Sequence, residues 1–323
     1  MKIIGVACGG YTSEREISLK SGSFIFNLIC DANFECYKIE INKSNCFVID
    51  KLGNKFSLNK KNFQFSKNDV NFSFDYVINL VHGSPGEDGE ITKKFEDLGI
   101  SHSTCDSSIA KLTFNKKKCL EFAKKNGIKT AKSKLIKKDQ DINEKVIGDE
   151  IGFPCFVKPN QSGSSFGISK VYFQKEIKSA VQKALKEGNE VLVESFLKGR
   201  EVNVGVFKLN GKAQVLPITE VISENDFFDY KAKYEGESDE ITPAILPIEL
   251  EKKVKKDALN LYSKLSLRGI TRSEFIFIKN IPYFLEINTI PGMTKQSIIP
   301  QQFDAANKSL KKIILAMINE GLK

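Results

Sequence analysis

Four polar side chains near the C-terminal end have the types and spacing to bind a cation: Arg272 and Glu274, then Glu286 and Asn288. Side chains two residues apart lie on the same face of a β-strand, so each pair points in one direction. The KNIP segment between them (279–282) predicts a hairpin that brings the two pairs together. Two carboxylates, an amide oxygen and an arginine suit a hard cation bound with phosphate oxygens. Alternation alone leaves open the alternative of a solvated outer face of an antiparallel sheet.

A lysine before a glycine- and serine-rich turn is the second candidate, in VKPNQSGSSFGISKV (157–171). A strand delivers Lys158, and the turn can direct backbone N–H groups and hydroxyls at phosphate oxygens. The segment is not a Walker A loop, because no Gly-Lys-Ser/Thr closes it. A turn of this composition between two strands needs no ligand, and that alternative stays open.

Two further segments follow predicted strands. VHGSPGEDGEI (81–91) concentrates glycine and acidic residues at a strand end, where open α/β sheets bind ligands. Its acidic residues could instead cap the following helix, and His82 could be structural. GGYTSEREIS (9–18) is a strand-to-helix turn without the GxGxxG fingerprint, which argues against a dinucleotide site.

The elements around these segments predict an α/β protein of three parts. In residues 1–105, strands at 2–8, 34–41 and 75–83 accompany a helical pattern at 13–30. Such alternation is typical of an open, mostly parallel α/β sheet.

Residues 106–190 are predicted to form a small central α+β lobe, able to close over a ligand. Residues 191–323 are predicted to form an antiparallel-sheet lobe with helices at 248–266 and 301–320. The polar, aperiodic stretch 223–242 is long for a loop in a compact domain, and such loops are usually functional or disordered.

Length and composition are typical of an ordinary globular protein. The 323 residues contain no apolar run near the roughly 20 residues that span a bilayer, so we expect a cytoplasmic protein with no membrane partner. The net charge of +9 comes mainly from lysines mixed with acidic residues along the chain, so we expect no nucleic-acid partner. Seven scattered cysteines and two histidines argue against disulfides, zinc or a multi-histidine metal site.

Taken together and in order, five segments resemble signatures of the D-alanine–D-alanine ligase family of the ATP-grasp superfamily: GGYTSEREISLKSG, HGSPGEDGEI, FVKPNQSGSSFGISKV, VLVESFLKGREV and FLEINTIPGMTKQSIIP. The resemblance runs from residue 3 to about residue 302. It implies an ATP-grasp fold with a Rossmann-like open parallel N-terminal sheet and ATP held between the central and C-terminal lobes. It also implies that two D-alanines are joined through a D-alanyl phosphate, for peptidoglycan synthesis.

The resemblance also implies roles for individual residues. The ATP phosphates would be contacted by Lys116, Lys158, Ser164 and Ser165. The adenine hinge would consist of Glu194, Phe196 and Leu197, and Glu201 would contact the ribose. A lid at 223–242 would carry Lys233 and Tyr234. Two Mg²⁺ or Mn²⁺ ions would be held by Glu274, Glu286 and Asn288, with Arg272 and the backbone of Gly292 stabilising the oxyanion. The first D-alanine would be held by Glu14, linked through Ser164 to Tyr234, with His82 nearby, and the second by Ser297 and Ile298. A homodimer is expected from the family alone.

The chain departs from the commoner family pattern at one expected metal ligand. Glu274 stands where the family more often has aspartate, which keeps the charge but extends the side chain by one methylene. The denticity of this ligand is therefore open.

Three other functions remain as alternatives. A D-alanine–D-lactate ligase would use the same residues, but Lys233-Tyr234 resembles the dipeptide-forming type. The PGMT segment followed by Ser297 argues against another ATP-grasp carboxylate–amine ligase. A non-catalytic nucleotide-binding relative is expected to lack metal ligands or the oxyanion arginine, and this chain keeps both.

Overall fold

The N-terminal part is built on one eight-stranded sheet in a computed structural model that describes residues 1–163, 166–223 and 238–323. The strands are β1 (Ile3–Gly9), β2 (Glu35–Ile41), β3 (Phe47–Ile49), β4 (Lys55–Asn59), β5 (Gln64–Lys67), β6 (Val70–Phe72), β7 (Tyr76–Asn79) and β8 (Ser101–His102). The helices are α1 (Arg15–Ile29) and α2 (Glu90–Asp97). The sheet order is β6-β5-β4-β3-β2-β1-β7-β8, so β1 lies inside the sheet and is buried along nearly its whole length.

The parallel part of this sheet confirms the sequence prediction. β1 pairs in parallel with β2 and β7, and β7 pairs in parallel with β8. The remaining strands, β3 to β6, form an antiparallel extension that the sequence did not predict. Each of them has only three to five residues, and left-handed residues at Phe63, Asn68 and Asp69 reverse the chain between them. Strands this short carry too little periodicity to be recognised.

A four-stranded antiparallel sheet forms the central lobe. Its strands are β10 (Ser133–Lys137), β11 (Cys155–Pro159), β12 (Ser169–Val171) and β13 (Glu190–Ser195), in the order β10-β13-β11-β12. The helices α5 (Glu144–Ile151) and α6 (Ile177–Ala184), with a 3₁₀ turn at Gln174–Glu176, bury its apolar face. The sequence places the end of this lobe at residue 190, but β13 pairs with β10 and β11 and so extends the sheet to Ser195.

The C-terminal part is built on a seven-stranded sheet. Its strands are β9 (Lys129–Thr130), β14 (Arg200–Leu209), β15 (Lys212–Val215), β16 (Thr219–Ser223), β17 (Ser238–Ile241), β18 (Ile270–Ile278) and β19 (Ile281–Asn288). The order is β17-β16-β14-β18-β19-β9, and β15 pairs with β14. The helices are α3 (Ser107–Phe114), α4 (Lys116–Lys125), α7 (Ile248–Lys264), α8 (Ile298–Ala305) and α9 (Leu310–Gly321).

The two faces of this sheet differ in polarity. On one face, Val202 and Phe275 pack with Leu261 of α7 in a fully buried core. The opposite face carries the charged side chains predicted to do chemistry, and α8 contacts it where Gln302 Nε2 donates to the Asn203 carbonyl at 2.9 Å. The apolar face therefore anchors the sheet, and the polar face is left for a site.

The single C-terminal helix predicted at 301–320 is wrong, because the structure contains two helices there. Asn307 takes a left-handed conformation with φ of 52°, which asparagine tolerates and which ends a helix. The Lys308 N–H then donates to the Phe303 carbonyl at 3.0 Å, and the Ser309 side chain caps the next helix. Among the described residues, no helix is both long enough and apolar enough to cross a bilayer.

Candidate active site

The hairpin of β18 and β19 brings the two predicted polar pairs together, as the sequence predicted. Lys279 and Asn280 turn the chain with φ of 46° and 63°, the left-handed pair that a two-residue hairpin favours. A β-bulge between Glu274 and Phe275 then shifts the pairing by one residue, and this shift sets the register at the charged end of the hairpin.

In the resulting register, Arg272 lies opposite Asn288 and Glu274 lies opposite Glu286. Direct cross-strand partners share a face of the sheet. Arg272 Nη2 donates to Oε1 of Glu274 at 2.5 Å, and Asn288 Nδ2 donates to the same oxygen at 3.0 Å. We call these four residues the hairpin cluster.

Lys116 connects the hairpin cluster to the start of α4. Its Nζ atom donates to Oε2 of Glu286 at 2.6 Å, and both side chains are largely buried. Burial lowers the pKa of this ammonium, but the carboxylates of Glu286, Glu274 and Glu87 raise it further, so that its pKa lies above the ordinary value. The ammonium therefore stays charged beside the carboxylates.

The hairpin cluster has the donor set of a hard divalent cation. It supplies two carboxylates and one amide on one face, which suit Mg²⁺ or Mn²⁺. Asn203, the cross-strand neighbour of Glu274, is 1% exposed, and its amide has no hydrogen-bond partner in the described part of the chain. The Asn203 amide therefore remains available for a hydrogen bond or a metal contact beside the Glu274 carboxylate. Within 1–163, 166–223 and 238–323, no three His, Cys, Asp or Glu side chains are grouped so as to hold a metal.

A second buried ion pair lies on the central lobe, across the cleft. Lys158 on β11 pairs with the carboxylate of Glu194 on β13, and the two side chains are 12% and 5% exposed. The chain then continues into the predicted adenine hinge. Phe196 in that hinge packs edge-on against Phe156 at 5.7 Å, and the Lys170 ammonium lies 4.2 Å from the Phe196 ring centre. An aromatic ring with a cation beside it suits contact with a planar base.

A cleft of about 1070 Å³ lies between the two lobes. Eight of the predicted ATP- and metal-binding residues line it: Lys116, Lys158, Glu194, Phe196, Leu197, Glu201, Glu274 and Glu286. The cleft is thus large enough for a nucleotide and has both lysines and both carboxylates on its walls.

Glu14 lies at the far end of the site, where β1 leads into α1. It is 5% exposed, and a Cβ atom added at Gly163 would lie 2.4 Å from its Oε1 atom. Glu87, also buried, accepts a hydrogen bond from the Gly83 N–H at 2.9 Å. Burial and the neighbouring Glu14 carboxylate raise the pKa of Glu87 above its ordinary value. The carboxyl groups of Glu14 and Glu87 therefore lie together at this end of the site, and Glu14 is next to Gly163 of the 161–167 loop.

His82 contacts the other predicted substrate segment through Ser21. Its Nε2 atom lies 3.4 Å from Ser21 Oγ, which also accepts a hydrogen bond from the Met293 N–H at 3.2 Å. Burial lowers the pKa of His82 to about 4. The imidazole is therefore neutral at physiological pH, and through Ser21 it connects the strand end at His82 with the segment at Met293.

The predicted second-substrate residues lie in a short turn before α8. Ser297 Oγ accepts a hydrogen bond from the Thr294 N–H at 3.0 Å and lies 3.1 Å from a Cβ atom added at Gly292. Ile298, the first residue of α8, is buried. The turn places Gly292 and Ser297 side by side, although they are five positions apart in the chain.

Four predicted site residues, Ser164, Ser165, Lys233 and Tyr234, lie outside the described residues, as does most of the predicted lid at 223–242. Two carboxylates of the site were not singled out from the sequence. For Glu87, the segment 81–91 predicts a ligand-binding strand end with a helix cap as the alternative, and Glu240 belongs to the aperiodic stretch 223–242. The GEDG segment is a signal for the first, whereas the stretch 223–242 indicates function without distinguishing Glu240 from its other acidic residues.

The fold and the site together define the class of protein. Two sheets that close on a cleft, with lysines on both walls and carboxylates on a hairpin, form the ATP-grasp arrangement of ATP-dependent ligases. The D-alanyl-alanine synthetase A of Vibrio cholerae has this structure, with a TM-score of 0.88 and 26% identity over 99% of this chain and 98% of that one. The D-alanine–D-alanine ligase of Bacillus anthracis complexed with ATP matches with a TM-score of 0.77 and 26% identity, over 100% and 97% of the two chains.

The sequence comparisons name the family. Residues 3–105 match the model for the D-ala D-ala ligase N-terminus, and residues 122–319 match the model for the D-ala D-ala ligase C-terminus. The D-alanine–D-alanine ligase of Flavobacterium johnsoniae is 46% identical over 322 residues, which is 100% of each chain. The chain belongs to the D-alanine–D-alanine ligase family and is an enzyme of that family. The predicted fold class and family resemblance are confirmed.

Proposed function

We propose that this enzyme joins two molecules of D-alanine to D-alanyl-D-alanine, with conversion of one ATP to ADP and phosphate, for peptidoglycan synthesis. The observation that carries the proposal is the pairing of Lys116 with Glu286 on the wall of the nucleotide-sized cleft. Phosphoryl transfer needs positive charge at the phosphates and hard oxygen ligands for a metal, and these residues supply both at one place. Family membership over nearly the whole chain supports the choice of substrates.

In the first step, a carboxylate oxygen of the first D-alanine attacks the γ-phosphorus of ATP. The bond from that phosphorus to the β-phosphate oxygen breaks, so that ADP leaves and D-alanyl phosphate forms. Lys116 and Lys158 are proposed to hold the phosphates, which requires each ammonium to turn from its carboxylate partner. Glu14 is proposed to hold the ammonium of this D-alanine, which keeps the reacting carboxylate directed toward the cleft.

In the second step, the amine of the second D-alanine, after losing one proton, attacks the carbonyl carbon of D-alanyl phosphate. The tetrahedral species carries an oxyanion, which Arg272 and the Gly292 N–H are proposed to stabilise. Collapse breaks the bond from carbon to phosphate oxygen and releases inorganic phosphate, while the nitrogen loses its second proton. Ser297 and Ile298 are proposed to position the attacking D-alanine.

Two Mg²⁺ or Mn²⁺ ions are proposed to be held by Glu274, Glu286 and Asn288. When bound, they supply charge neutralisation at the phosphate oxygens. Without a metal, Arg272 pairs with Glu274 and Lys116 pairs with Glu286, which holds both carboxylates in position. D-Alanyl phosphate is readily hydrolysed, so water has to be excluded, and we assign that role to the 223–242 segment with Lys233 and Tyr234, and to Ser164 and Ser165.

We further propose the division of the chain into an N-terminal domain of residues 1–105, a central lobe and a C-terminal lobe. The pairing of β13 supports a boundary between the two lobes after Ser195 instead of at residue 190. A cytoplasmic homodimer is proposed from the family alone, and light scattering of the purified protein tests the dimer.

The proposal is tested by measuring ADP release with ATP and Mg²⁺ at increasing D-alanine concentration, and identifying the product by mass spectrometry. We expect ADP release to depend on D-alanine and the product to be the dipeptide. ADP release that is independent of D-alanine would contradict the proposal. Adding D-lactate in competition, across a range of pH, tests the remaining alternative, and depsipeptide as the main product near neutral pH would establish it.

A further inference from the structure

Glu240 lies on the same face of the C-terminal sheet as the hairpin cluster. It is the cross-strand partner of Val221, which in turn lies opposite Glu201, the proposed ribose contact. Two positions along β14, Asn203 lies opposite Glu274. Because side chains alternate along each strand and align across it, Glu240 and Glu274 project from one face.

The Glu240 carboxylate is held beside the proposed second-substrate segment. Gln301 of α8 donates from Nε2 to Oε2 of Glu240 at 2.7 Å, and the same nitrogen lies 2.7 Å from the Gln296 carbonyl oxygen. Gln296 is the residue before Ser297. This amide therefore links the edge strand β17 directly to the turn that carries Ser297 and Ile298.

Among the described residues, the Glu240 carboxylate forms no ion pair. Gln301 is neutral, and Arg272, whose field reaches Glu240, donates to Glu274. In the described part of the chain, Arg272 therefore acts on both carboxylates, and its hydrogen bond goes to Glu274. Burial raises the pKa of Glu240, while the Gln301 hydrogen bond and Arg272 lower it, and the result is a pKa above the ordinary value. A partly desolvated carboxylate without a cation of its own favours a positively charged ligand.

We propose that Glu240, oriented by Gln301, determines specificity at the second-substrate subsite by accepting the ammonium group of the incoming D-amino acid. The inference rests on the proposed function, which places that substrate at Ser297 and Ile298. A nucleophile that arrives as an ammonium ion gains a charge-assisted hydrogen bond here, whereas a 2-hydroxy acid gains none. Glu240 therefore selects an amine over a hydroxyl before the proton is lost.

The experiment compares Glu240→Gln with the wild type in two reactions. In dipeptide formation, the KM of the second D-alanine is expected to rise about ten- to 100-fold, as loss of one charge-assisted hydrogen bond implies. In the second reaction, hydroxylamine replaces the second D-alanine. Its nitrogen attacks the carbonyl carbon of D-alanyl phosphate, and the products are the hydroxamate and phosphate. Hydroxamate formation needs only ATP and the first D-alanine, so its rate and its KM for D-alanine are expected to stay within about twofold.

Two variants separate this role from a structural one. Asp239→Asn removes one charge from the exposed face of the same strand and is expected to leave both reactions unchanged. Glu240→Asp keeps the charge and is expected to recover part of the affinity that Glu240→Gln loses. The proposal is overturned if Glu240→Gln leaves the second KM unchanged, or if it lowers dipeptide and hydroxamate formation equally. A wild type that makes neither product would instead contradict the proposed function.

Discussion

The Lys116 ammonium and the Glu286 carboxylate meet at 2.6 Å although 170 residues separate them in the chain. The pair joins the start of α4 to strand β19 and lies on the wall of the cleft. Both side chains are mostly withdrawn from water, with exposed fractions of 11% and 19%, so neither charge could remain there without the other. The pair therefore holds in place the two groups for which we propose phosphate binding and metal binding, before any substrate arrives.

Replacing Glu286 by glutamine is expected to remove nearly all turnover. The substitution keeps the shape but removes the negative charge that the metal requires, and a loss of about 100-fold or more is expected. ADP release with saturating D-alanine measures it. Glu249→Gln is the control, since Glu249 is exposed on α7, and it should match the wild type. Unchanged turnover in Glu286→Gln would exclude this residue as a metal ligand.

The extended side chain of Glu274 is expected to matter more for metal affinity than for the chemical step. Glu274→Asp keeps the charge but draws the carboxylate back from Arg272 and Asn288, its present partners. We expect turnover within about tenfold of the wild type, with a higher Mg²⁺ concentration at half-maximal rate. Glu274→Gln should lose about 100-fold at any Mg²⁺ concentration. A titration of rate against Mg²⁺ distinguishes the two, and equal rates in all three proteins would argue against Glu274 as a ligand.

Gly163 is expected to tolerate no side chain without cost to the first D-alanine. A Cβ atom there would lie 2.4 Å from Oε1 of Glu14, so the carboxylate would have to move. Gly163→Ala is therefore expected to raise the KM of the first D-alanine about tenfold or more, because misplacement of a binding group by an ångström is costly. Gly188→Ala is the matched control, since nothing lies within 4 Å of its added Cβ atom. Equal KM values in the two variants would contradict the assignment of Glu14.

The buried His82 is expected to make the folded protein sensitive to acid. Its pKa is lowered by burial from 6.5 to about 4, so the unfolded chain binds the proton more readily than the folded one. The folded state therefore loses stability as the pH falls from 6.5 toward 4, by an amount on the order of 3 kcal/mol.

Denaturant unfolding at pH 7.5 and pH 4.5 measures this effect. His82→Gln should show a smaller loss of stability between the two pH values than the wild type. His102→Gln is the comparison: burial also lowers the pKa of His102, so this variant is expected to lose a separate part of the pH dependence while His82 keeps its contribution. The same pH dependence in His82→Gln and the wild type would contradict the prediction.

Much of the site could be predicted because its signals are local in the chain. The spacing of Arg272, Glu274, Glu286 and Asn288 around a short turn predicts a strand hairpin, and the structure contains it. The β-bulge between Glu274 and Phe275, which places Glu274 opposite Glu286, could not be predicted from the spacing. The parallel strands β1, β2 and β7 could likewise be recognised from their apolar runs. The strands β3 to β6 could not, because three to five residues contain too few alternations to distinguish a strand from a loop.

The break between α8 and α9 was missed for a different reason. Asn307 is compatible with a helix interior, and only the capping by Ser309 and the return of Lys308 to the Phe303 carbonyl make the left-handed turn the stable choice. Such a competition is decided by a few hydrogen bonds, whose partners the periodicity of the sequence does not reveal.

The sequence by itself determined the family of this protein, its α/β class and the residues of the hairpin cluster. These depend on residue types and on spacings within one or two elements, where the geometry of a strand or helix fixes the face on which each side chain lies. The tertiary structure alone decided which distant groups meet: Lys116 with Glu286, and Glu240 with Gln301. Those contacts depend on strand order and helix placement, which follow from the burial of many apolar side chains at once. No single segment of the sequence carries that information.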